Sequence, residues 1–198
     1  MNHAAERSNG FAMAVIVEGG LALSAVILAA VFHVSLREQI APLGPEFGQA
    51  VLRGLAATVP MLAVFGWLAT SRRTTLRKLR EQVECMVREM FPDGSTLQFA
   101  MVALLAGVGE ELLFRGAIQN AVAYWTTPII ALVVTSFLFG IAHALSRLYF
   151  FFAVAVGLFL GWLALAFNDL IAPMVAHGLY DFVALVYLSR VHSRNAQP

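Results

Sequence analysis

Glu110 and Glu111 stand side by side in an otherwise apolar stretch, with Met101–Val108 before them, Leu112–Phe114 after, and Arg115 one helical turn on. His143 lies in a later apolar stretch, one turn after Phe139, and His177 lies in a third, one turn before Asp181. A bilayer penalises ionised side chains heavily, so such groups are rarely kept at membrane depth without a task. An imidazole beside a carboxyl can share a proton with it, and together they can draw one from water. Proton transfer within the membrane is the chemistry such a set would serve.

Helix geometry sorts these groups. Glu111 and Arg115 are four residues apart, share a face and can pair. Glu110 is turned about 100° away and can point into a bundle by itself. Phe139 shares a face with His143, and His177 shares one with Asp181. A lone buried histidine is ordinarily a packing residue, and Glu111 with Arg115 could simply lock two helices. Glu110, His143, His177 and Asp181 together ask for a common purpose. Glu18, in an earlier apolar run, and Tyr124 and Trp125 are assigned no chemistry.

The elements that must position these groups are membrane spans. The 198 residues are 60% hydrophobic and 13% charged, against about 45–50% and about 25% in soluble chains. An all-α, polytopic helix bundle is the expected fold. About 20 apolar residues cross a bilayer, and six stretches qualify: 11–35, 49–70, 97–123, 128–146, 149–167 and 170–188. Turn residues separate them: Pro42-Leu43-Gly44-Pro45, Pro92-Asp93-Gly94, Thr126-Thr127-Pro128 and Asn168-Asp169. The first run is longer than a signal-peptide core of about 7–15 residues and reads as a retained span. Counting along the spans puts Glu110 and His177 in the outer half and His143 near the inner end of its own span. At about 1.5 Å per residue that mismatch is on the order of 10 Å.

Charge distribution orients the bundle. Arg72, Arg73, Arg77, Lys78, Arg80 and Arg88 crowd the link between the second and third spans. With six crossings that link shares a side with Arg7, Arg147, Arg190 and Arg194. The positive-inside rule makes this side and both termini cytoplasmic, in a bacterial inner membrane by expectation. Within the link, Leu76, Leu79, Val83, Met86, Val87 and Met90 recur at helical spacing, which predicts an amphipathic helix on the inner leaflet. The net charge of +1 gives no reason to expect a nucleic-acid partner, and the single Cys85 allows no intrachain disulfide.

Known routes to peptide cleavage in membranes narrow the chemistry. The H-E-x-x-H pair of a zinc protease, a G-x-S-G serine site and the G-x-G-D half of a paired-aspartate site are all missing. Glu110-Glu111-x-x-x-Arg115, Phe139-x-x-x-His143 and His177-x-x-x-Asp181, each in its own span and in this order, resemble the three motifs of the CPBP family. These are intramembrane proteases related to the CAAX-processing endopeptidase and to bacteriocin-processing, immunity and abortive-infection-like proteins. The resemblance covers about 97–188, which suggests a division into 1–96, two spans and the link, and 97–198, a catalytic four-helix core.

The resemblance implies that Glu110 and His143 activate water while His177 and residue 181 hold the carbonyl and its oxyanion. Glu111, Arg115 and Phe139 would support them. The substrate would be a membrane-associated peptide or protein tail, and no cofactor is implied. The family commonly has Asn where Asp181 stands, and a carboxylate would repel an oxyanion that an amide stabilises. Asp181 must then be protonated, orient His177 or bind a metal. Two rival readings remain. One is a zinc-dependent protease with His143, His177 and Asp181 or Glu110 as ligands. The other is a non-enzymatic immunity, scaffold or proton-coupled transport protein.

Overall fold

A computed structural model describes residues 3–40 and 44–195, so Pro42 and Leu43 lie outside the described residues, as do the side chains of Arg7 and Arg194. The described residues fold as helices alone: α1 (His3–Val31), a 3-10 turn (Arg37–Gln39), α2 (Pro45–Thr70), α3 (Thr74–Met90), α4 (Thr96–Glu111), α5 (Asn120–Trp125), α6 (Pro128–Ala142), α7 (Arg147–Phe167) and α8 (Ile171–Asn195). Between α4 and α5 the same rod continues as a π-helical segment, Leu112–Gln119. Five helices are long and apolar enough to cross a membrane, counting α4 to α5 as one, and α6 is a shorter apolar helix.

The helices begin where local chemistry says they should. Ser95 and Gln98 form a reciprocal capping box at α4, with Gln98 N–H donating to Ser95 Oγ (3.2 Å) and Ser95 N–H to Gln98 Oε1 (2.8 Å). Thr127 caps α6 ahead of Pro128, and Ser146 caps α7. Asn168 ends α7 in the left-handed region at φ 50°, and Asp169 accepts from the Ile171 N–H to start α8. The first span stops at Val31, short of the expected 35, where His33 turns the chain at φ 54°.

Apolar side chains face outward and polar ones inward, as a bilayer requires. Leu23, Leu52, Leu104, Val133 and Phe151 are all more than half exposed, whereas Glu111 is 0% and Arg115 1% exposed. Small residues let the rods close on this polar interior. A Cβ at Gly107 would lie 2.8 Å from the Gly178 backbone, so α4 and α8 touch main chain to main chain. A Cβ at Gly109 would lie 2.6 Å from the Glu18 carbonyl, which brings α1 equally close to α4. Gly157 and Gly161 on α7 offer their carbonyls to Arg115 Nη2 (3.1 Å) and Gln119 Nε2 (3.3 Å).

Two segments depart from the expected spans. The π segment frees carbonyls that a regular helix would use, and Asn120 Nδ2 donates to those of Arg115 (2.8 Å) and Gly116 (3.0 Å). The fourth span, expected to run to 146, ends at Ala142. Its 15 residues rise only about 22 Å, against a hydrocarbon core of about 30 Å.

The amphipathic helix of the link forms as α3, but its apolar face meets protein. Val87, with Val83, Met86 and Met90 beside it, packs on Phe91, Phe99, Val102 and Leu188. This helix therefore covers one end of the bundle.

Candidate active site

The Glu111 carboxylate is the hub of the buried polar groups. Its Oε1 accepts from Arg115 Nη1 and from His177 Nδ1, each at 2.8 Å, and so ties α4, the π segment and α8 together. Arg115 also lies 4.5 Å above the Phe139 ring. A buried ion pair needs further hydrogen bonds to offset its desolvation; the Gly157 carbonyl and His177 supply two here, while Glu111 Oε2 is buried without a partner. Phe139 stacks on His143 (4.3 Å between centroids, 25° between planes) and meets His177 edge-on (5.9 Å, 66°). One ring thus sets the orientation of both imidazoles.

The two histidines are held alike. His143 Nδ1–H donates to the Phe139 carbonyl (2.8 Å), since a carbonyl can only accept. With each Nδ1 committed, each Nε2 turns to a carboxyl: His143 to Glu110 Oε2 and His177 to Asp181 Oδ2, both at 3.4 Å. Contacts of this length in a ligand-free site can tighten around a substrate. Glu110 Oε2 is buried with no hydrogen-bond partner of its own, so it keeps its capacity to accept one.

All four groups border one cavity of about 310 Å³, which Leu76, Val83 and Met86 of α3 also line. The depth mismatch expected between Glu110 and His143 does not exist. Because α6 stops early, His143 caps its end inside the bundle, level with Glu110.

One residue given no chemistry above also reaches this cavity. Glu18 on α1 lines it, interacts electrostatically with Glu110, Asp181, His177 and His143, and has a buried Oε2 without a partner. Its signal was the same as that of Glu110, a carboxyl within an apolar run, but no second polar group on its helix pointed to a partner. Tyr124 and Trp125, by contrast, are 80% and 77% exposed and far from any such role. Among the described residues no three His, Cys, Asp or Glu side chains are grouped to hold an ion.

Long apolar helices around a recessed carboxyl–imidazole cluster define an integral membrane protein with a buried polar site. The family model described as type II CAAX prenyl endopeptidase Rce1-like matches residues 92–183. That segment is similar to the Rce1-like domains of the CPBP family, and all three motifs fall inside it. No curated protein and no solved structure matches the chain.

Proposed function

We propose that this chain is a glutamate-type intramembrane endopeptidase acting on a membrane-associated peptide or protein tail. The Glu110–His143 pair, open to the cavity and facing His177 and Asp181, is the observation that carries the reading. In this mechanism Glu110 and His143 hold a water and take its proton as its oxygen bonds to the scissile carbonyl carbon. His177 helps to hold the carbonyl oxygen. The tetrahedral intermediate collapses, the C–N bond breaks, and the proton returns to the departing amine. Each such contribution is worth about 10²–10⁴-fold. Glu111, Arg115 and Phe139 keep the imidazoles in place and do not react.

The chain's own carboxyl and imidazole groups account for every proton in this scheme, so no step is routed through a metal. In a bacterial host, a signalling peptide or bacteriocin-like substrate fits better than a prenylated tail. The arginine distribution supports a cytoplasmic side for α3 and both termini.

Comparison of host membrane peptides between wild type and Glu110→Gln tests the reading. A peptide whose cleavage requires Glu110 is the expected result. Cleavage abolished by a strong chelator and restored by Zn²⁺ would replace the mechanism with the zinc-dependent one. Full biological activity in normally inserted Glu110→Gln and His143→Ala proteins would leave a binding, immunity or transport role instead.

A further inference from the structure

Asp181 stands where the oxyanion needs a donor, and a carboxylate there would oppose the charge that develops. The cavity offers another group. Tyr149 sits in the first turn of α7, where its N–H donates to the capping Ser146 hydroxyl (3.3 Å). The short turn between α6 and α7 therefore fixes Tyr149 relative to His143. Its side chain lines the same cavity as Glu110, His143, His177 and Asp181. It lies within electrostatic range of both Asp181 and Glu110. The Tyr149 hydroxyl has no hydrogen-bond partner among the described residues. Partly buried and unengaged, the hydroxyl is available to donate to a bound substrate. Tyr180 also borders the cavity, but its ring is set edge-on against Phe65 (6.0 Å) and it interacts with Asp181 and not with Glu110.

We propose that Tyr149 is a catalytic hydrogen-bond donor that serves the oxyanion in place of an amide at position 181. The inference rests on the proteolytic reading above. As the water oxygen bonds to the carbonyl carbon, the C=O π pair moves to oxygen, and the phenol O–H donates to that oxygen without giving up its proton. On collapse the pair re-forms the C=O bond, the C–N bond breaks, and the amine receives the proton that Glu110 removed. Asp181 is then free to hold His177 Nε2.

The test uses purified full-length protein in detergent micelles and an internally quenched peptide carrying the Glu110-dependent cut site. Tyr149→Phe is expected to lower kcat by about 10²-fold while KM stays within about twofold, the pattern of a contact made only in the transition state. Adding Asp181→Asn to Tyr149→Phe is expected to recover at least about tenfold of that loss, because the amide supplies a new donor. A purely structural tyrosine would show no such rescue. Glu110-dependent cleavage that ignores Tyr149→Phe, or a loss equal with and without Asp181→Asn, overturns the donor role alone. If no cleavage depends on Glu110, the proteolytic reading falls and takes the donor role with it.

Discussion

Replacing Arg115 with Met keeps the length of the side chain and removes its charge. Glu111 would then be left at 0% exposure with only His177 Nδ1 as a donor. The bond from Arg115 Nη1 (2.8 Å), the bond to the Gly157 carbonyl (3.1 Å) and the contact over Phe139 (4.5 Å) would all be lost. Removing one partner of a buried pair destabilises by about 3–5 kcal/mol. That is a large share of a total stability of about 5–15 kcal/mol. At about 2–4 °C per kcal/mol for a chain of this size, the midpoint should fall by about 6–20 °C.

The double change Glu111→Gln with Arg115→Met removes both charges, and the Gln oxygen can still accept from His177. It should recover most of the loss, giving a coupling of about 2 kcal/mol or more. Unfolding in dodecylmaltoside micelles titrated with SDS, followed by circular dichroism, measures all four corners of the cycle. A single Arg115→Met within about 1 kcal/mol of wild type, or additive losses in the double variant, would refute the idea that this pair holds the site together.

Other outcomes follow from single features. Glu18→Leu removes a buried carboxyl oxygen without a partner and should raise stability by about 1–3 kcal/mol while lowering Glu110-dependent cleavage, read by the same titration and peptide assay. Gly107→Ala forces α4 away from the Gly178 backbone and should destabilise by about 1–3 kcal/mol and slow cleavage, whereas Gly66→Ala meets nothing within 4 Å and should do neither. Cys85 is exposed, and its bond to Glu89 (3.4 Å) holds the thiol above its ordinary pKa. Less thiolate is present near neutrality, so an impermeant maleimide should react slowly, faster as pH rises and faster still in Glu89→Gln. In intact cells the same reagent should fail to label Cys85, and efficient labelling would reverse the orientation.

Contacts within one helix were legible because the helical period fixes them. Glu111 with Arg115 and His177 with Asp181 lie where a four-residue step puts them. Contacts between helices were less so. The approach of Glu18 depends on Gly109 admitting α1, and nothing near Glu18 in the chain announces that glycine. The depth of His143 was misjudged because Ala144 and Leu145 continue the apolar run past the turn that ends α6. For α3, periodicity identified an apolar face without saying whether lipid or protein covers it; Phe99 and Leu188 do.

The brevity of α6 has a consequence for the second reactant. A helix about 8 Å too short for the hydrocarbon layer obliges the surrounding lipid to dimple or its ends to recede. Solvent then stands nearer to His143 than its place in the sequence suggests. The stub that levels the imidazole with Glu110 thereby shortens the route by which moisture reaches the proposed site.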